Sequence, residues 1–497
     1  MGYRGTKRGD AVEQSVRETE DAAASAEGST PIAAAPPTGW SAPGGGRELI
    51  RLALPLILSN SIWTLEITTD RIFLSWLGED HVGAAMAAAM LFWTPLCLLQ
   101  ATAAYATTFV AQYVGAGRPE RVGPVVWQAL YFSVLAGLAF LGLLPLVESI
   151  VALGGHSAHL QELEATYLRC LCFSALPTLI TAATTSFFAG RGASWTVLAI
   201  NASGLLVNGV LVYAWIFGRL GFPAWGIAGA GWATVCGTSA SASVALVLLL
   251  RPAYRAQFRT LSGWRPDLAL LRRLLHFGLP SGLHVGLDVL AWTVFLFIVG
   301  RLGDAELSAS SIAFTLNMVG FLPAMGISQG IGILVGQRLG QDRADLAERT
   351  TWIGFKMSSA YMAAVVLAYV LAPSLLLLPF QLGDDGDLHR QVAALAPVLL
   401  WFVAVYSLFD NMNLVFAFAL KGAGDTRFVT VMAVLLAWPI MVLPTWAVWQ
   451  RGGGLYWAWT FASLYIVALA LVFLWRFYQG RWKTMRVIET KPAVEAS

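Results

Sequence analysis

Residues 82–112, 122–147, 170–190, 192–218 and 220–250 contain no Lys, Arg, Asp or Glu. A helix needs about 20 apolar residues to cross the hydrocarbon of a bilayer, and each of these runs matches or exceeds that length. Hydrocarbon offers no hydrogen bonds to a free backbone, so runs of this kind are forced into membrane helices. The composition fits. The chain is 57% hydrophobic and 12% charged, with a mean hydropathy of +0.65, whereas a soluble domain carries roughly 25% charge. Its 20 Trp and 13 Tyr suit the two interfacial belts of a membrane protein. The expected class is an all-α polytopic membrane protein.

Apolar runs and helix breakers mark twelve spans, at about 50–77, 81–114, 123–153, 163–190, 193–217, 224–250, 270–301, 305–340, 349–380, 388–421, 426–449 and 453–478. Residues 1–46 are rich in Ala, Gly, Ser, Pro and charge and cannot bury a core, so a disordered tail is expected there. That tail holds no apolar run, so a cleavable signal peptide is not expected in it. Basic residues set the orientation. If the N-terminus is cytoplasmic, the inner loops collect Arg118, Arg121, Arg191, Arg251, Arg255 and Arg259 among others. The outer side keeps Arg219, Arg301, Arg390 and Arg451 beside the acidic stretch 383–387. Both termini are expected inside. The four cysteines, Cys97, Cys170, Cys172 and Cys236, all lie in apolar runs and read as small core residues, with no disulfide frame or metal site.

The chain also repeats itself. At an offset of 225, Leu54-Pro55 meets Leu279-Pro280, Leu77-Gly78 meets Leu302-Gly303, and Val110, Gln112, Gly115 and Arg118 meet Val335, Gln337, Gly340 and Arg343. At 232, Gly190 and Gly192 meet Gly422 and Gly424. Six spans separate the copies, so both halves cross the membrane in the same sense. This is a parallel repeat, an architecture of transporters that bind near mid-membrane and alternate access by rocking. The expected organisation is a tail over 1–46, a first six-helix lobe over 47–250, a linker over 251–273, a second lobe over 274–478, and a tail over 479–497.

Deep within the expected spans lie Glu66, Asp70, Asp288 and Asp410. A charge at mid-bilayer costs on the order of 3 kcal/mol on insertion scales. Glu66 and Asp70 are four apart and share one helix face. Two carboxylates in low dielectric do not both ionise cheaply, so the pair suits a proton or Na+ site. The plainer alternatives are that Asp70 pairs with a neighbouring cation or that Glu66 faces a wet cavity. Arg71 lies about 100° round the helix from Asp70 and is expected to snorkel outward. Asp410 is followed by Asn411 and Asn413. Carboxylates and amide oxygens are ligands for a hard monovalent cation, so Na+ or a proton is expected at Asp288 and Asp410. Asn208, a lone mid-span amide, is either a helix–helix hydrogen bond or part of a site. Residues 422–425, GAGD, match a short motif of intramembrane aspartyl proteases, but no Tyr-Asp partner motif lies on any span, and a loop role is expected. No Walker A, zinc or nucleophile-elbow motif occurs, which argues against ATP hydrolysis.

With LALPLILSN, TTDRIFLSWLG and FVAQYVGAGRPERV, their echoes FGLPSGLHVGLD and VGQRLGQDRAD, and FALKGAGDTR, the chain resembles the multidrug and toxic compound extrusion (MATE) family over about residues 48–478. The resemblance implies two six-helix lobes and export of organic cations driven by sodium or proton influx. By position, Asp70 is similar to the acid of the family's helix-1 Val-Asp-Thr motif, here Thr-Asp-Arg. Asp288 stands where sodium-coupled members carry a helix-7 Glu, Asp410 where the family has a helix-10 Asp, and Asn208 where it has a helix-5 Asn. Val212 takes the place of a second acid found in some members, while Glu66 and Arg71 are additions of this chain.

The leading expectation is a secondary antiporter, not an enzyme, which exports small organic cations in exchange for Na+ or H+ through Asp288, Asp410, Asp70 and Glu66. A lipid-linked or small-solute flippase is the nearer alternative, but the mid-membrane bases it would need are few (Arg71 and Lys356). An intramembrane enzyme using paired aspartates is the remote one. The expected setting is a bacterial cytoplasmic membrane, with a monomer in the lipid bilayer and neither cofactor nor nucleic acid as partner.

Overall fold

The computed structural model describes residues 40–219, 221–380 and 387–489. Most of the expected N-terminal tail, the acidic stretch 383–387 up to residue 386, and residues 490–497 lie outside them. The described residues from Gly44 onward form one compact unit. Among the described residues it holds twelve spans: α1 Gly46–Ser75, α2 Glu79–Gly115, α3 Pro119–Ala152, α4 Ala158–Gly190, α5 Ser194–Phe217, α6 Ile227–Leu249, α7 Leu268–Gly300, α8 Asp304–Gly340, α9 Ala344–Leu371, α10 Arg390–Ala423, α11 Thr426–Gln450 and α12 Leu455–Tyr478. Large apolar side chains such as Leu135, Leu206, Val247, Phe297 and Leu371 are exposed on the outside, the surface that lipid solvates.

The spans form two six-helix bundles whose packing repeats. In the first half α1 packs on α5, α2, α3 and α6 on α4, and α5 on α6. In the second, α7 packs on α11, α8, α9 and α12 on α10, and α11 on α12. The repeat extends to the turns. Gly117, at φ +65°, and its counterpart Asp342, at φ +57°, are both left-handed, a conformation open to Gly and tolerated by Asp. Both turns close with the same bond, Arg118 N–H to Tyr113 O and Arg343 N–H to Arg338 O, each 2.9 Å. That is the helix-ending Schellman pattern. Interior prolines Pro55 and Pro280 also fall at matching places in α1 and α7.

The halves meet through α1, α2, α7 and α8, with α8 against α1 and α2, and α7 against α2. These close approaches gather at the end of the bundle that carries Arg118, Arg191 and the 251–267 segment, called the basic end below. Gly115 lies so near Gln337 of α8 that a Cβ would stand 2.0 Å from its carbonyl oxygen, and a Cβ on Gly340 would stand 2.2 Å from that of Gln112. Small residues permit such backbone contact, which helices in lipid depend on because hydrocarbon supplies no hydrophobic drive between them. Two equivalent side chains then cross the seam. Gln112 of α2 donates to Gly422 O of α10 at 3.1 Å, and Gln337 of α8 donates to Gly190 O of α4 at 2.8 Å.

The segment between the halves is not slack. Its short helix Pro252–Phe258 lies on the first half. Tyr254 and Phe258, with Phe187 of α4, enclose the Arg191 guanidinium at 4.3–4.6 Å from the three ring centres. Beyond it, Trp127 donates to Thr260 O at 2.8 Å, and a Cβ on Gly123 would stand 2.4 Å from Phe258 O. Gln128 of α3 donates to Arg265 O and accepts from the Asp267 N–H at 3.3 Å. Asp267 in turn caps α7 through the Leu270 N–H.

The contact at Gly340 generates a prediction. Gly340→Ala is expected to lower the melting temperature of the purified protein, at an overpacking cost of roughly 1–3 kcal/mol. Gly83, also helical, has nothing within 4 Å of an added Cβ, and Gly83→Ala should leave the melting temperature equal or higher. Equal melting temperatures for the two variants would contradict the tight seam.

Candidate functional site

Each half holds its own cluster of in-span polar groups. In the first half the cluster forms where α1, α4, α5 and α6 converge. Asp70 of α1 is 7% exposed, and Thr234 of α6 donates to its Oδ2 at 3.4 Å. The Asn208 amide of α5 lies next to that carboxyl, yet neither of its polar atoms reaches hydrogen-bonding geometry with any partner, and Asp70 Oδ1 is likewise unpartnered. Tyr167 of α4 flanks the same space. Glu66, one turn before Asp70, is half-buried and close enough for the two carboxyls to repel each other. Arg71 is exposed on another face. Val212, four residues past Asn208, is fully buried. Three unpaired polar atoms in a buried pocket are unusual, because each costs about 1–3 kcal/mol when left without a partner. Two of the three, Asp70 Oδ1 and Asn208 Oδ1, are oxygens.

In the second half, α7, α10 and α12 converge. Asp288 of α7 accepts from the Tyr465 hydroxyl of α12 at 2.8 Å. Asp410 of α10 accepts from Asn413 at 3.1 Å and lies close enough to Asp288 to interact with it electrostatically. One turn before Asp288, His284 meets Lys421 of α10, Nδ1 to Nζ 2.9 Å. Lys421, 9% exposed, is also near enough to attract Asp288. Asn411 is set apart from this group. It is 1% exposed, accepts from Ser358 and donates to Ser359 at 3.1 Å, and so ties α10 to α9.

None of Glu66, Asp70, Asp288 and Asp410 forms an ion pair among the described residues. Acids that do are found elsewhere, such as Glu48 with Arg338 and Asp425 with Arg476 at 2.7 Å. The latter pair accounts for the GAGD stretch: its acid ties the α10–α11 turn to α12.

The sequence therefore supplied the carboxyls but missed several of their partners. Tyr465 is one of several hydroxyl residues in an apolar helix. Thr234 and Tyr167 look like ordinary span residues. His284 carried a usable signal, standing four residues before Asp288 on the same face. Lys421 sits beside a glycine turn and reads as a loop cation, although it is inside α10.

The difference between the two asparagines is testable. Asn411→Val should lower the melting temperature by removing helix–helix bonds worth about 0.6–2 kcal/mol, while leaving transport by the folded protein intact. Asn413→Val should do the reverse, retaining stability and reducing transport in a vesicle assay.

The MatE family model matches this chain twice, over residues 55–214 and 280–446. The starts differ by 280 − 55 = 225 and the ends by 446 − 214 = 232, the two offsets of the internal repeat. A probable multidrug resistance protein NorM of Burkholderia mallei is 29% identical over 456 residues, covering 91% of this chain and 96% of its own length. The multidrug resistance protein NorM of Burkholderia vietnamiensis is 29% identical over 455 residues, with 91% and 97% covered. Among solved structures, an outward-facing multidrug resistance MATE transporter of the MOP superfamily superposes with a TM-score of 0.79 at 20% identity, covering 88% of this chain and 96% of its own. A MOP superfamily transporter from Pyrococcus furiosus, described as having a binding pocket of reversed polarity, gives 0.80 at 20% identity with the same coverage. The chain belongs to the MATE family of multi-pass membrane transporters.

Proposed function

We propose that this transporter is a secondary antiporter which exports small organic cations in exchange for Na+ or H+. The observation that carries the reading is the set of four carboxyls inside membrane helices, Glu66, Asp70, Asp288 and Asp410, none of which forms an ion pair among the described residues. Such groups are costly in lipid unless they bind a cation. The NorM relatives are named for multidrug resistance, which supports a broad class of small organic substrates.

Asp288 and Asp410 are the coupling pair of the second half. Tyr465 and Asn413 orient their carboxyls, and Na+ or a proton neutralises them in turn. Asp70 with Glu66 forms the first-half site, where Glu66 supplies the second carboxyl that Val212 does not. A cation that binds one conformation better than the other shifts the population of both, and this drives exchange against the exported substrate. Basic residues are concentrated in the loops of one end, so that end faces the cytoplasm of a bacterial cell, and the protein works as a monomer.

Two experiments test this. Protein reconstituted in liposomes, with sodium and pH gradients imposed separately, should expel ethidium under one gradient, and Asp288→Asn and Asp410→Asn should each lower the rate by about tenfold or more. Unchanged efflux in both variants would remove the second half from the coupling. In the first half, Asp70→Asn should abolish coupling, while Glu66→Gln should reduce it in a pH-dependent way. Normal transport by Glu66→Gln across the pH range would reduce Glu66 to a hydrated neighbour.

A further inference from the structure

The chain does not leave the bundle where α12 ends at Tyr478. It turns at Gly480, with φ +71°, into a short helical turn over Arg481–Thr484. Trp482 is 1% exposed and stacks on Phe477 at 4.7 Å between ring centres. Lys483 pairs with Glu348 of α9 at 2.6 Å, and Arg486 with Asp342 of the α8–α9 turn at 3.1 Å. Up to Arg486, every one of these anchors belongs to the second half.

The next three residues reach the first, although Val487 still lies against Gly424 of the α10–α11 turn. The Val487 N–H donates to Gln112 Oε1 of α2 at 2.8 Å, and its side chain is fully buried. Ile488 is 7% exposed and joins the apolar core of the first half. Glu489 then accepts from the Tyr113 hydroxyl at 2.7 Å and pairs with Arg118 at 2.7 Å, Arg121 at 3.1 Å and Arg273 at 3.2 Å. A second Arg118 nitrogen donates to the Glu489 carbonyl at 3.0 Å. Tyr113, Arg118 and Arg121 lie on or just beyond the basic end of α2. Arg273 lies at the start of α7, where Gln128 and Asp267 tie that helix to the first half.

A segment of nine residues thus has its root in one half and its tip in the other. It crosses the seam at Gln112, the residue whose Nε2 already bonds Gly422 across it. One amide group closes the halves from two directions. Glu489 also supplies the one carboxylate that three guanidiniums share, and without it they would repel one another.

We propose that Val487–Glu489 is a pin that holds the basic end of the transporter shut, and that Glu489 must leave its arginine cluster before that end opens. Glu489 is a positioning residue in this scheme and touches no exported substrate. Burial by itself would raise its carboxyl. The Tyr113 hydroxyl, its own backbone N–H and the charges of Arg121 and Arg118 outweigh burial and hold it at about 2. The pin is therefore charged at any pH the cell reaches, and its release depends on motion of the halves, not on protonation. The proposal rests on the transporter reading only in requiring that the basic end open at some stage. Hydrogen exchange observes that opening without any transport assay, so the two readings can fail separately.

The test is amide hydrogen exchange on the full-length protein in lipid nanodiscs, comparing wild type with Glu489→Gln, Glu489→Asp and Arg118→Gln. In Glu489→Gln, peptides covering 105–121 and 332–343 should exchange about tenfold faster, the scale of a lost charge-assisted bond discounted for partial exposure. Peptides around Phe92, Phe140 and Val212, at the opposite end, should be unchanged. Arg118→Gln should loosen the same two peptides, and Glu489→Asp, which keeps the charge, should restore most of the protection. Wild-type exchange in Glu489→Gln overturns the proposal. So does acceleration that spreads equally to the opposite end, since Glu489 would then only support the fold. Exchange in Glu489→Asp as fast as in Glu489→Gln overturns it as well.

Discussion

The backbone contact between α2 and α8 at Gly115 and Gly340 sets the rest of the architecture. Two helices that approach this closely leave no room for side chains, so the contact depends on van der Waals packing and on the two crossing glutamine bonds. Because Gln112 and Gln337 are counterparts in the repeat, the seam is nearly symmetric. Each half offers a backbone carbonyl at the end of its central helix, α4 or α10, to an amide from the other half. Such a seam is specific in register yet modest in energy, since amide–carbonyl bonds contribute only about 0.5–1.5 kcal/mol each. That combination suits a contact made and broken in every cycle.

The charged groups obey the opposite logic. At the basic end, acids are matched with bases: Glu48 with Arg338, Asp425 with Arg476, and Glu489 with three arginines. Three deep carboxyls have hydroxyl and amide neighbours instead, Thr234 and Asn208 for Asp70, Tyr465 for Asp288 and Asn413 for Asp410. Hydroxyls and amides orient a carboxyl without cancelling its charge. The Lys421–His284 pair is the exception, a basic group buried one turn from Asp288. It sets a basic side chain beside that carboxyl.

Much of this could be read from the sequence, because hydrocarbon imposes simple rules. Span number, the parallel repeat and the deep carboxyls follow from length, offset and charge alone. Gln112, Gly115, Gln337 and Gly340, all matched in the repeat, are residues of the seam. Boundaries slipped where local chemistry prevailed. The ninth span, expected to run to residue 380, ends at Leu371 because Pro373 forces Ala372 out of helical geometry, at φ −133°. Partners of the carboxyls were hidden because one Tyr or Thr in an apolar helix has no distinguishing pattern. The C-terminal segment looked like a polar tail, and nothing local in it announces that Glu489 fits an arginine cluster more than 350 residues earlier, at Arg118 and Arg121.

The linker bonds made by Gln128 bear on where the molecule can bend. Since Arg265 and Asp267 are both tied to α3, and Asp267 caps α7, the first turns of α7 travel with the first half although the helix ends in the second. Rotation between the halves cannot be absorbed in the connecting segment, and the strain falls inside α7. Pro280 provides the place for it: a residue with no N–H to donate, flanked by Gly278 and Gly282, with its carbonyl held by Thr430 of α11. Asp288 stands two turns beyond this proline, past the stretch where Gly282 and Gly286 pack against Leu98 of α2.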